Sequence, residues 1–390
     1  MRDIVLFKIF YIFLFLFFWR TTIYWVNFVQ GGTEKDWLLY FFLAITMFLG
    51  IVLIGKNIKH IPSKQIHFVA FAWFVLMIVV AVYNKTALSM SLKSLLWPIV
   101  FEVSYLFSKL YSKAGNYFRK YFFFLAMMGL LYMLNHLLLV NFSTSSNLVY
   151  FFILPMPFLL RVNHRKELYW LFFMMASISV LSSKRSMILA IAIFLLIWGL
   201  YNTIIRKKMV QSMFLLFMMA GIIIFSFQNV DFLSEGRLAE KMGKEDITNG
   251  RADIYDITIL MIDKSSFDHK LLGNGHNAVR QDSPLEISAH NEWLEIMYDY
   301  GFIAIILYLC LWLIMLSIWY GMFKTKSRFF IPYSLMICIW AVMSMVSQLI
   351  LYVSYVLYLF MFLAYVEGQC DKAMCQKIRN ARNLYVYHNP

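Results

Sequence analysis

The pair His290-Asn291 sits where a polar stretch of the chain gives way to an apolar one. A helix predicted to start near Ser288 places both residues in its first turn, where free amides and the helix dipole favour anions and a neutral imidazole. Neutral imidazole accepts a proton, so beside a phosphate-bearing ligand His290 is placed to orient or deprotonate an attacking hydroxyl. The competing reading of a lone histidine here is an interfacial group that merely caps a membrane helix. A second cluster, Ser182-Ser183-Lys184-Arg185-Ser186, is sandwiched between two apolar stretches. Adjacent cations at a membrane turn are costly unless paired; an anionic lipid head group would pair them, and the planar fork of Arg185 suits a pyrophosphate. Snorkelling to the interface is the alternative. Arg251, in Asn249-Gly250-Arg251-Ala252-Asp253, and Arg280 are further candidate cations for such an anion, or else solvated loop charges.

No metal centre is expected: His269, His276 and His290 are scattered and no Asp-x-Asp occurs. Cys310 and Cys338 fall in apolar stretches, and the Cys370 and Cys375 pair has no second ligand pair, so neither a disulfide nor zinc is indicated.

These side chains need a scaffold that presents them at one surface. Apolar residues make up 62% of the 390 positions and charged ones 14%, which excludes a water-soluble fold. Apolar stretches near the ~20 residues needed to cross a hydrocarbon core recur at 4–19, 37–54, 68–83, 88–107, 121–140, 148–160, 168–182, 186–204, 210–227, 297–320, 330–348 and 350–366. The first has no small-residue cleavage site after it and reads as a retained helix. The expected fold is all-α: a polytopic integral membrane protein of about twelve transmembrane helices with one large outward-facing loop folded as a small helical cap. Helices one to nine would occupy 1–227, the loop 228–296, helices ten to twelve 297–366, and a cytoplasmic tail 367–390.

Charge placement tests this layout independently. With both termini inside, 22 of the 35 basic residues fall on or near the inner face, as cytoplasmic connections require. Acidic residues do the opposite, 14 of 21 lying between Asp231 and Asp299. The +14 formal charge is therefore an orientation signal toward anionic inner-leaflet lipid and gives no reason to invoke nucleic acid. Glu102 is the one acidic residue well inside a predicted span, and it calls for a cation or a ligand opposite it. Within the loop, Arg251 to Lys264 reads as a loosely amphipathic helix able to lie on the membrane face, and Gly273 and Gly275 mark a turn.

These pieces resemble the O-antigen polymerase and O-antigen ligase family. Ser183-Lys184-Arg185-Ser186 is similar to the family's outer Ser-Arg-small turn, Gly250, Arg251 and Tyr255 to its Gly-Arg-aromatic, and Gly273 and Gly275 to its Gly-x-Gly. The loop then ends in His290-Asn291-Glu292-Trp293-Leu294, with Gly301 ten residues on. The sequence departs from the family at Ser186, where glycine is common, at Tyr255, where tryptophan is common, and at Asn277. The resemblance is strongest over 168–320.

The resemblance implies a membrane glycosyltransferase at the outer face of the bacterial cytoplasmic membrane, with no cofactor and no metal. A sugar hydroxyl would attack the anomeric carbon of an undecaprenyl-pyrophosphate-linked oligosaccharide. His290, Arg185 and Arg251 would be the catalytic residues, and Lys184, Asn291 and Arg280 would bind substrate. In a polymerase, donor and acceptor are both undecaprenyl-pyrophosphate-linked oligosaccharides, and a chain-length regulator protein is an expected partner beside the bilayer. In a ligase the acceptor is lipid A core. A lipid-linked oligosaccharide flippase is the rival from another class; it calls for internal repeats and broken helices at the membrane midplane.

Overall fold

The computed structural model describes residues 2–29, 37–85, 88–139, 149–160, 185–228, 251–347, 349–350 and 352–388, and the described residues form helices and no strand. In chain order these are α1 (Arg2–Val29), α2 (Trp37–Asn57), α3 (Gln65–Tyr83), α4 (Leu88–Leu110), α5 (Ala114–Leu139), α6 (Val149–Ile153) and α7 (Met156–Leu159). Then come α8 (Arg185–Ile204), α9 (Met209–Gln228), α10 (Arg251–Lys264), α11 (Phe267–Leu272), α12 (Ala278–Asp282), α13 (Glu292–Lys324), α14 (Phe330–Val346) and α15 (Val353–His388).

The helical membrane class expected from composition holds. Five described helices, α1, α2, α3, α13 and α15, are long and apolar enough to cross a membrane. The figure of about twelve spans is not reached by that measure. Lys93, Glu102 and Lys109 interrupt the apolar character of α4, the pair α6 and α7 is split at Leu154-Pro155, and the 168–182 stretch lies outside the described residues.

The centre of the bundle is α15, in which every residue from Val353 to Gly368 is buried. Its most extensive neighbour is α4. Trp97 of α4 stacks on Phe360 with ring centroids 3.9 Å apart, and Gly368 lets the Tyr105 carbonyl and the Ser108 side chain approach the backbone. Lipid is as apolar as these side chains, so close packing rather than escape from water holds such helices together.

Polar groups collect at the two ends. At one end, Lys64 lies 3.0 Å from Glu367 and 2.5 Å from Asp371. Tyr105 donates to Asp371 at 2.6 Å, and Lys109 donates to Tyr105 and to the His60 carbonyl. Glu102 finds its partner in His67, whose Nδ1 is 2.8 Å from both carboxylate oxygens.

At the other end, α10, α11 and α12 form the cap. Its attachment depends on a break in α13. Gly301 adopts φ 76°, ψ −174°, outside the helical region, so the carbonyls before it lose their usual helical donors. Two of them are taken up by the loop: Asn274 N–H donates to the Tyr298 carbonyl and Gly275 N–H to the Asp299 carbonyl, each at 2.9 Å. The buried Asp299 carboxylate accepts from the N–H groups of Asn277 (2.8 Å) and Val279 (3.0 Å), fixing the start of α12. Gly273 has φ 80° and packs so closely that a Cβ would overlap the Asp299 main chain, while one on Gly301 would overlap Leu271. Asn84, at the end of α3, donates to the Gly273 carbonyl and ties the turn to the bundle.

Gly301→Ala is therefore expected to destabilise the detergent-solubilised protein by about 2 kcal/mol or more, read as a fall in Tm. Gly321→Ala, where an added Cβ meets nothing within 4 Å, should leave Tm nearly unchanged. Equal Tm values for the two variants would contradict the backbone contact described for Gly301.

Candidate active site at the loop end of the bundle

The helix that carries the His-Asn pair begins later than its sequence suggests. Asn291, not Ser288, is the cap: its side-chain oxygen accepts from the N–H groups of Trp293 (3.0 Å) and Leu294 (3.3 Å). An asparagine carboxamide reaches two amides that a buried serine three residues earlier does not. His290 is thus the residue before the cap, outside the first turn, with a left-handed φ of 52°. Its backbone is clamped from both sides. The buried Glu295 carboxylate accepts from Ala289 N–H, and Tyr255 of α10 donates to the His290 carbonyl at 3.5 Å and to the Met345 carbonyl at 3.2 Å. A left-handed non-glycine residue costs energy that such surrounding contacts must offset.

Glu292 makes the second anchor. Fully buried, it accepts from Tyr308 at 2.6 Å and from Ile350 N–H, while Tyr308 accepts from Trp340 at 3.1 Å. The non-helical link between α14 and α15 is thereby pinned beside the His290 turn.

Tyr255 lies one turn along from Arg251, which opens α10. The Arg251 charge acts on the Tyr150 hydroxyl, and that hydroxyl is 3.2 Å from Ser186 Oγ. Ser186 stands in the first turn of α8, which Arg185 opens. The start of α8, the start of α10 and the His290 loop therefore meet at one end of the bundle. Tyr150 packs on Tyr355 with centroids 5.3 Å apart, Tyr355 on Tyr352 at 5.8 Å, and the charge of the exposed Arg280 acts on Tyr352. The tyrosines line the region between the two arginines. Lys184 lies outside the described residues.

Residues 170–309 match the family model described as O-antigen ligase. That span of the chain is similar to the O-antigen ligase family. The resemblance to the O-antigen polymerase and ligase family is thereby borne out, and the matched span takes in Lys184, Arg185, Arg251, Arg280, His290 and Asn291. A match to a ligase family gives the transporter reading no support. No curated protein matches the chain.

Several residues that shape this end of the bundle were not singled out from the sequence. Glu292 and Glu295 are visible there as acids in the first turn of a helix, yet burial, not the dipole, defines their work. Tyr150, Tyr352 and Tyr355 sit in apolar runs with nothing to distinguish them from packing residues.

Beside this cluster, His276 follows the Gly-x-Gly turn and faces Tyr300 and Ser94. Burial, together with the Lys93 charge, pushes its imidazole down to about 4. The folded protein thus holds His276 neutral while the unfolded chain protonates it near 6.5. Stability from this group is full above about 6.5 and is lost as pH falls toward 4. Relative to a His276→Gln variant, wild-type Tm should fall more steeply across that interval; parallel Tm curves would contradict the assignment.

Proposed function

We propose that this chain is a polysaccharide polymerase that joins undecaprenyl-pyrophosphate-linked oligosaccharide repeat units at the outer face of the bacterial cytoplasmic membrane, both termini facing the cytoplasm. The observation that carries the reading is the meeting of the Arg185 turn, the Arg251 helix start and the His290 loop through Tyr150, Ser186 and Tyr255. The O-antigen ligase match supports the same reaction class.

In this mechanism the acceptor sugar hydroxyl loses its proton to the His290 imidazole as its oxygen bonds to the donor's anomeric carbon. The bond from that carbon to the pyrophosphate oxygen breaks, and its electron pair leaves with the pyrophosphate. Arg251 and Arg185, with Lys184, neutralise the charge gained by the departing group. Cations in fixed positions supply what a divalent metal supplies elsewhere, so the reaction is taken as metal-independent. Asn291 caps the helix behind His290 and Arg280 guides the anionic substrate from the loop surface. The exposed Ile259 and Leu260 of α10 rest against the bilayer surface, and a chain-length regulator protein is a further partner.

The second reading is a ligase that transfers the glycan to lipid A core, favoured by the description of the matching family. Both reactions use the same donor and the same site. In a strain carrying His290→Ala or Arg185→Ala, single repeats on lipid A core would mark a lost polymerase. Long lipid-linked chains absent from core would mark a lost ligase. Each variant is expected to abolish extension, a loss of at least about 100-fold, with membrane insertion unchanged. Normal polysaccharide length in either would overturn the site.

A further inference from the structure

Lys93 differs from the half-buried Lys64 and Lys109. Lys64 is paired with two carboxylates and Lys109 with a carbonyl and a hydroxyl. Lys93, in the second turn of α4 at the loop end, makes no ion pair among the described residues; its ammonium lies 5.3 Å from the Tyr40 ring centroid. The surroundings are polar, and the nearby carboxylates Asp299 and Glu295 act on Tyr300 but not on Lys93. Ser94 Oγ is 3.3 Å from His276 Nδ1 and 3.4 Å from the Tyr300 hydroxyl. Pro98, four residues on, has no N–H to give the Ser94 carbonyl. The Lys93 charge reaches His276, which burial keeps neutral and able to offer a ring N–H. A half-buried cation facing neutral donors, with only a ring for company, is a place that an anion completes.

We propose that Lys93, with Tyr40 and His276, forms a second anion subsite that holds the phosphate groups of the acceptor, a second lipid-linked glycan. The proposal rests on the polymerase reading, in which two pyrophosphate-bearing lipids must be bound at once. The chemistry divides suitably between the two sites. The donor pyrophosphate has to leave and meets arginines, whose planar forks bond two oxygens each. The acceptor pyrophosphate has to stay intact and meets a lysine, a point charge that attracts without that bidentate grip. His276 lies four residues before Arg280 of the short helix α12, and the Arg280 charge acts on Tyr352, at one end of the tyrosine row that runs through Tyr355 to Tyr150 and the Arg251 charge. The exposed Trp37, one turn before Tyr40 on α2, marks the aromatic belt at which a lipid head group would enter.

The test is the binding of undecaprenyl pyrophosphate to the full chain in nanodiscs of phosphatidylcholine, counted by native mass spectrometry, for wild type, Lys93→Gln and Lys93→Arg. Wild type and Lys93→Arg should bind two equivalents and Lys93→Gln one, with unchanged Tm. In assays with separately varied lipid-linked substrates, Lys93→Gln should raise the acceptor KM roughly tenfold or more and leave the donor KM alone. Two equivalents on Lys93→Gln would overturn the subsite. Displacement of the second equivalent by phosphatidylglycerol would assign the site to bulk lipid head groups and overturn the acceptor role. If wild type extends no chains while the Lys93-dependent equivalent persists, the polymerase reading fails and the anion subsite stands.

Discussion

Inside a bilayer, a main-chain carbonyl that leaves a helix has no water to turn to, and the break at Gly301 creates such carbonyls in a helix long and apolar enough to cross one. The turn around Gly273 and Gly275 satisfies them, and in doing so fixes where the loop can sit. Asp299 adds a buried carboxylate that accepts from two loop amides, an arrangement that makes a buried charge tolerable. Everything proposed for the active end depends on this attachment. His290 immediately precedes the cap of the α13 segment before the break, so its position relative to α10 and α8 is set by how that segment is held.

The same economy appears in the two glutamates of the His-Asn-Glu-Trp-Leu-Glu run. Glu295 turns back on Ala289, and Glu292 reaches across to Ile350 and Tyr308. One fixes the loop entering His290 and the other fixes the tyrosine-bearing link opposite. A buried carboxylate is expensive in an apolar medium, and it persists where amide and hydroxyl donors meet it. At the far end of the bundle the charges instead pair with one another, Lys64 with Glu367 and Asp371. One end is closed electrostatically, and the other carries Arg185, Arg251 and Arg280, the cations proposed to meet a ligand.

Much of this was legible in the sequence, because hydropathy and charge placement are strong signals in a membrane chain. The helical class follows from the apolar runs, and the likeness to the O-antigen ligase family from the order of the motifs. The glycines were legible as a pattern; only the structure supplies their reason, the backbone contact of Gly273 with Asp299. The start of α13 was misplaced by three residues because Ser288 and Asn291 are both good caps, and local preference does not decide between them. The partner of Glu102 was hidden because His67 lies in another helix, 35 residues away in sequence. Tyr150 and Tyr355 were silent because a core tyrosine beside a candidate site and one far from it have the same kind of neighbours in sequence.

The central claim is that the start of α8, the start of α10 and the His290 turn form one cleft that takes a lipid-linked pyrophosphate. A cryo-electron microscopy map of the protein in nanodiscs with bound undecaprenyl pyrophosphate tests it most directly. The account predicts pyrophosphate density between Arg251 and the start of α8, with its terminal phosphate, the one that bears the sugar in the donor, toward His290. A head group bound at the Lys64 and Asp371 end of the bundle, or at the loop end out of reach of both arginines, would contradict it.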